Sequence, residues 1–402
     1  MSPNSNFGGP RKNTDYHGLV LLCLGHMMTD LNTSALPALL PFLKETLGLS
    51  YAMAGTIILF SNMTSSVIQP AFGYLADRKS LRWFLPLGCF CAALGIAFLG
   101  WAKSYGEILF LVIFSGLGVA IYHPEGWRLA NFYAGEKKAT GMSIFGVGGN
   151  LGFAFGPLLA VYLVKKFGLS GSFYFILPGA AMAGIFIFSK IWEVQNIPSS
   201  SSTPQSLSGS FSLRPVIYPL SLLLGMVIFR SWTHIGLMTF IPFYYINYMK
   251  GDPMHAGNLL FGFLGAGTLG TLVGGPLADH YGHKRIILLS LGLTGPLLVL
   301  FLLSSGVWAF IFFILAGFIM IFSFSVSMVM GQYFLPKHLG TVSGLIVGLA
   351  IGTGGIGATV LGLFADLWGV PSTLWLIAFI PWGAFFLAAL IPYPGKKTTP
   401  KT

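Results

Sequence analysis

Two pairs of polar side chains interrupt apolar stretches at a spacing of four residues: His26 with Asp30, and Arg230 with His234. At i,i+4 each pair shares one face of a helix. Placing an ionisable group near the centre of a bilayer costs on the order of 2.5–3.5 kcal/mol, so each of the four is a candidate for handling a solute or an ion. Arg230 carries a fixed charge on a planar fork, a shape that takes carboxylate or phosphonate oxygens two at a time. Asp30 can take up and release a proton, and an Arg230 that approaches or retreats would change its hold on that proton. A static Asp30–Arg230 ion pair that locks two parts of the chain together is the structural alternative. His26 and His234 can titrate near neutral pH and hydrogen-bond an anion, or serve only as satisfied donors.

The remaining polar groups in apolar stretches are weaker signals. His123-Pro124-Glu125 combines a proline, which removes a helix hydrogen bond, with a glutamate placed to pair with Arg128 at i,i+3. It reads either as a kinked helix end or as a second stop for a proton, with Glu125 as the carrier. Asn150, Asn62 and Gln69 suit interhelical hydrogen bonding as well as contact with a solute. His26 and Asp30 offer two metal ligands on one face, and no further Cys or His cluster at ligand spacing completes a shell, so no metal site is expected. The three cysteines, Cys23, Cys89 and Cys91, read as core fillers. No glycine-rich loop followed by Lys-Ser/Thr appears, and no nucleophile–base pairing is evident, so neither a nucleotide or other cofactor nor enzyme chemistry is expected.

The elements that must hold these residues are membrane helices. The chain has 402 residues, 54% hydrophobic and only 8% charged, with a mean hydropathy of +0.78; soluble domains carry about 25% charged residues. Apolar runs give twelve spans, at about 17–43, 51–75, 83–101, 107–130, 139–165, 172–191, 215–247, 255–278, 285–304, 307–334, 341–365 and 372–392. Such runs satisfy their backbone in lipid only as helices, so the class is all-α and the lipid bilayer is the first partner. The polar, serine-rich break at 192–214 divides the chain into an N-terminal bundle (1–191), a linker and a C-terminal bundle (215–402) of six spans each. Sixteen of the 22 Lys and Arg residues fall on the loops that share a side with the termini, five fall on the opposite side, and Arg230 lies within a span. That asymmetry predicts that both termini are cytoplasmic, and it accounts for the net charge of +11 without nucleic acid.

The halves repeat at a shift of about 202 residues, as a duplicated six-helix unit would leave them. Gly73-Tyr74-Leu75-Ala76-Asp77-Arg78, with Arg82 following, recurs as Gly275-Pro276-Leu277-Ala278-Asp279-His280, with Lys284 and Arg285 following. Glycine ladders at 148, 152, 156 and at 344, 348, 352 predict close helix approach in spans 5 and 11.

The paired G-x-L-A-D-[RH] loops and the twelve spans resemble the major facilitator superfamily along the whole chain. Gly152-x-x-x-Gly156-Pro157 is similar to the antiporter motif of its drug/proton branch, although Ala160-Val161 replaces the trailing glycines, Ser80 a loop glycine and His280 a loop arginine. Gly25-His26-x-x-Thr29-Asp30, Ala35-Leu36-Pro37-Ala38-Leu39-Leu40-Pro41, His123-Pro124-Glu125 and Val147-Gly148-Gly149-Asn150 resemble the fosmidomycin-resistance family of bacterial efflux transporters. The resemblance implies two pseudo-symmetric six-helix bundles rocking around a central cavity between spans 1 and 7. It also implies a monomer in the cell inner membrane that exports small compounds by proton exchange. Uptake or facilitated movement of a metabolite through the same fold is the alternative. His26, Asp30, Arg230, His234 and Asn150 would then face the solute, and Asp30 and Glu125 would carry protons. Gly73, Asp77, Arg78, Arg82, Gly275, Asp279 and Lys284 would form the gating loops.

Overall fold

The computed structural model describes residues 13–78, 83–135, 138–189, 191, 214–334 and 339–392. The 192–214 break lies outside the described residues except for Arg214, which begins a helix. Among the described residues there are helices and turns and no strand. Helix α1 (Tyr16–Leu47) starts on Asp15, whose carboxylate accepts from the Gly18 amide, and stops at Gly48, where a φ of 63° turns the chain. There follow α2 (Tyr51–Asn62), continued through a π-helical turn (Met63–Val67) into α3 (Gln69–Arg78), then α4 (Phe84–Ala97), α5 (Tyr105–Tyr133), α6 (Lys138–Phe167) and α7 (Ile176–Phe188). The second group comprises α8 (Arg214–Pro242), α9 (Pro253–Tyr281), α10 (His283–Leu303), α11 (Gly306–Met320), α12 (Phe322–Phe334) and α13 (Leu339–Leu390).

Eleven helical runs among the described residues are long and apolar enough to cross a bilayer. The last, Gly348–Leu390, has 43 residues, and its backbone leaves helical geometry at Gly369 (φ 81°, ψ 162°). A run of that length reaches about 65 Å, roughly twice the hydrocarbon thickness of about 30 Å. The break at Gly369 therefore lets it cross twice, and the expected spans 11 and 12 are its two arms. Large apolar side chains remain on the outside, Phe110, Phe188, Leu303, Val307, Leu367 and Phe386 among them, as a lipid-facing surface requires.

Helices α1 to α7 pack among themselves, as do α8 to α13, and the two groups meet chiefly along α2–α13 and α6–α9. The first glycine ladder does what its spacing predicts. A methyl at Gly148, Gly152 or Gly156 would run into the carbonyl oxygen of Cys23, Met27 or Leu31 respectively, so α6 lies directly against α1 and runs in the same direction. The second ladder does not. Gly348 and Gly352 have no neighbouring atom within 4 Å, and the side of Gly344 is outside the described residues. In α13 the close approaches belong instead to Gly354 and Gly357, against Ser231 and Trp232 of α8, and to Gly355 and Gly362, against Leu59 and Tyr51 of α2. The helix has to serve two neighbours, and its contact residues sit out of register with the repeat.

At the end of the bundle remote from the start of α1, the two groups are tied by directional bonds. Asp366 of α13 accepts the Tyr51 and Ala52 amides at the start of α2, at 2.7 and 2.9 Å. Lys165 of α6 meets Asp252, the residue that caps α9, at 2.7 Å. Asn62 donates to the Ile351 carbonyl (3.2 Å) and Asn247 to that of Pro41 (3.5 Å), both across the same boundary.

Candidate functional site

Helix α1 carries His26 and Asp30 on one face, and both are buried, Asp30 with 6% of its surface exposed. His26 Nε2 lies 3.1 Å from Asp30 Oδ2, so the spacing argument holds at atomic detail. A third group arrives from α5. His123 Nε2 is 3.3 Å from the other carboxylate oxygen, Oδ1, and 3.2 Å from His26 Nε2. The two ring nitrogens and the carboxylate thus converge on one point. Pro124 supplies no amide hydrogen at this turn, and the His123 ring sits over the preceding turn with Nδ1 2.9 Å from the Val119 carbonyl. His26 Nδ1 is 2.8 Å from the Phe145 carbonyl of α6, and its ring stacks on the Phe145 ring at 4.2 Å.

A carbonyl oxygen can only accept, so both Nδ1 atoms carry the hydrogen, and both Nε2 atoms of the neutral rings turn lone pairs toward Asp30 and toward each other. One proton placed there can be shared between a ring nitrogen and the carboxylate; a second can occupy the other nitrogen, each donating to its own oxygen. Helix α6 makes the room. A Cβ at Gly149 would stand 2.6 Å from His26 Nε2 and 2.7 Å from Asp30 Oδ2. The neighbouring Asn150 is exposed and lies on the stripe of α6 that, farther along, meets Gly257 of α9 through Pro157, Leu158 and Val161.

Arg230 is placed differently from the simplest expectation. Its guanidinium is buried, with 4% exposure, and donates to Ser327 Oγ of α12 at 3.2 Å, while its carbon lies 4.9 Å from the centre of the Phe324 ring. Asp30 is not within ion-pair distance, nor is any other carboxylate among the described residues. The static Asp30–Arg230 lock is therefore not formed in this state. His234, one turn along α8, rests against the Phe263 ring at 5.9 Å. Arg230 presents five donors, and one is placed on Ser327. The result is a buried, stacked, fixed positive charge with no carboxylate beside it among the described residues.

Of the other expected residues, Glu125 is buried and held by Arg128 through both oxygens, at 2.6 and 2.9 Å. Most residues expected in gating loops lie in helices instead: Gly73, Asp77 and Arg78 in α3, Gly275 and Asp279 in α9, and Lys284 in the first turn of α10. The side chains of Asp77, Arg78 and Asp279 and the whole of Arg82 fall outside the described residues. Lys284 is accounted for locally: its ammonium donates to the Ala389 and Ile391 carbonyls, both at 2.7 Å, and so caps the end of α13. The residue that spacing could not supply is His123. It is the one histidine of α5, ninety-seven positions from His26, and only the packing of α5 on α1 joins them. The two-ligand count on α1 accordingly becomes three in space.

The comparisons with known proteins agree with this architecture. Residues 22–349 and 237–402 match the family profile described as Major Facilitator Superfamily. The chain is 35% identical over 387 residues to the uncharacterised MFS-type transporter YfnC of Bacillus subtilis, covering 95% of this chain and 94% of that protein. It is 31% identical over 371 residues to the fosmidomycin resistance protein of Escherichia coli, covering 92% and 91% respectively. In fold it is similar to a bacterial homologue of the human lysosomal transporter Spinster, solved in an inward-facing and occupied conformation. That match has a TM-score of 0.78 and 15% identity over 94% of this chain and 96% of that one. Paired helix groups, the family profile and whole-length relatives all lead to one statement: the chain belongs to the major facilitator superfamily and is a transporter, not an enzyme.

Proposed function

We propose that this transporter exports a small anionic compound in exchange for protons, as a monomer in the bacterial inner membrane with both termini in the cytoplasm. The observation that carries the reading is Arg230, a buried guanidinium without a carboxylate beside it among the described residues. A charge so placed is stabilised by an anion that comes and goes, because burying an unpaired ion is otherwise expensive. Its planar fork suits a phosphonate or carboxylate, and the relative from Escherichia coli is named for resistance to fosmidomycin, a phosphonate. His26, His234 and Asn150 complete the solute path. Asp30, between its two histidines, is the proton carrier, and Glu125 is a second stop.

The far-end ties between the helix groups support an inward-open resting state, in which the central residues communicate with the cytoplasm. Residues 1–191 and 215–402 then rock about the site as two bundles joined by the linker. Asp77 and Arg78 at the end of α3, Asp279 near the end of α9, and Arg82 form the latch of the cytoplasmic side in the opposite state. A potential of 100 mV supplies about 2.3 kcal/mol per proton, which sustains roughly a fifty-fold gradient of solute.

Proteoliposomes with an imposed pH gradient test this, with fosmidomycin and simple organic anions as solutes. Wild type moves the anion against the proton flow. Arg230→Ala loses discrimination between anions and neutral analogues, and Asp30→Asn loses dependence on the gradient. Full proton-driven transport in Asp30→Asn would remove that residue from the coupling step, and solute movement in the direction of the proton would mean uptake.

A further inference from the structure

We infer that His26, Asp30 and His123 form a binding site for one divalent transition-metal ion of the zinc, cobalt and nickel class. The inference uses the same residues as the proton carrier but is independent of which solute is transported and in which direction. Three observations carry it. The donor atoms already stand close to the separations a metal imposes: the two Nε2 atoms, 3.2 Å apart, match the edge of about 3.3 Å of a tetrahedron whose ligands lie about 2.0–2.1 Å from zinc, and each faces its own Asp30 oxygen, Oδ2 at 3.1 Å from His26 and Oδ1 at 3.3 Å from His123, with one donor atom per residue lying within 4.8 Å of the others. Next, both rings are held as metal-bound histidines are held, with Nδ1 donating to a backbone carbonyl (Phe145 and Val119) so that the Nε2 lone pair is fixed in direction. Finally, two neutral Nε2 lone pairs facing each other at 3.2 Å repel, and a proton between them serves fewer of the three groups than a cation bound to all of them.

Two imidazoles and one carboxylate favour borderline ions over calcium or magnesium, which need all-oxygen shells. Three protein ligands leave a further coordination position for water or solute. The side chain of His123 is 14% exposed, which leaves a path for the ion to enter. A bound ion would tie α1 to α5 and, through Phe145, to α6, and it would exclude the transported proton. Zinc should therefore inhibit proton-driven transport.

The test is cobalt binding to the full-length protein, purified in detergent without a polyhistidine tag and stripped with a chelator. Visible d–d absorption distinguishes a low-coordinate nitrogen and oxygen shell from the hydrated ion. One cobalt per chain is expected, displaced by zinc and not by magnesium or calcium. Asp30→Asn and His123→Gln should each weaken binding by at least about 100-fold, the upper end of the loss from removing even an outer-layer partner. Gly149→Ala, which removes no ligand but intrudes on His26 and Asp30, should weaken it as well. His255→Gln, at the exposed start of α9, should leave it unchanged. Absence of the band in monodisperse wild-type protein would overturn the proposal, as would its survival in a His26→Gln/His123→Gln double variant. Should Asp30→Asn fail to yield folded protein, the partly exposed His123→Gln decides.

Discussion

At the scale of single residues, the division of labour follows from what each side chain can do with charge. In the proposed cycle Arg230, which keeps its proton, would attract and let go of an anion, whereas Asp30 would carry the exchanged proton beside its two histidines. Arg230→Lys keeps the charge and loses the fork. It should still bind anions, with affinity for a phosphonate reduced about tenfold or more, equivalent to about 1.4 kcal/mol, measurable from the concentration dependence of transport. The charged members of the candidate site stand out in the sequence because an ionisable residue in an apolar run is rare and i,i+4 spacing fixes its face. His123 was only half legible. Its type was visible, but its partner lies on another helix, and no spacing along α5 predicts contact with Asp30. Nor could the sequence reveal that Arg230 turns to Ser327 and Phe324 rather than to Asp30, since that depends on how α12 packs on α8.

At the scale of elements, the two glycine ladders make a controlled pair. Gly152 abuts the Met27 carbonyl, while Gly352 and Gly348 have open space around them. Gly152→Val should force α6 from α1 and destabilise the protein by about 1–3 kcal/mol, as overpacking does elsewhere. Gly348→Val, identical in chemistry, should leave thermal unfolding in detergent nearly unchanged. Equal effects of the two would mean that the α1–α6 contact is not set by these glycines. The twelve crossings could be read from apolar length alone, and the one discrepancy, a merged final helix, is resolved by the backbone at Gly369. The register of the second ladder could not be read, because glycine spacing states that a helix can be approached closely but not which neighbour does so.

At the scale of the whole molecule, the remote end is held in part by the Lys165–Asp252 ion pair. Hydrogen bonding from Lys165, and then from the Met254 amide, keeps the Asp252 carboxyl below the ordinary carboxylate range. A lowered value means that its contribution to closure is complete above that range and is lost only as pH falls through the lowered value; across about pH 5–8 it is constant. The pH dependence of conformational cycling should therefore persist in Asp252→Asn, and its loss in that variant would place proton sensing at the remote end. Asp366→Asn replaces a carboxylate that accepts two amides at the start of α2. It should shift the population toward the state open at that end, read as a longer distance between spin labels placed across α2 and α13. An unchanged distance distribution would remove Asp366 from the closure.

Helix α6 enters the central cluster twice: the Phe145 carbonyl anchors the Nδ1 of His26, and the bare backbone at Gly149 leaves space for Nε2 and for Asp30. An axial slip of α6 by one residue is about 1.5 Å, and it would shift the anchoring carbonyl and the glycine beside Asp30 together. The geometry of the cluster and the position of one helix thus share two contacts, so a displacement of α6 would be felt by His26 and Asp30 at once.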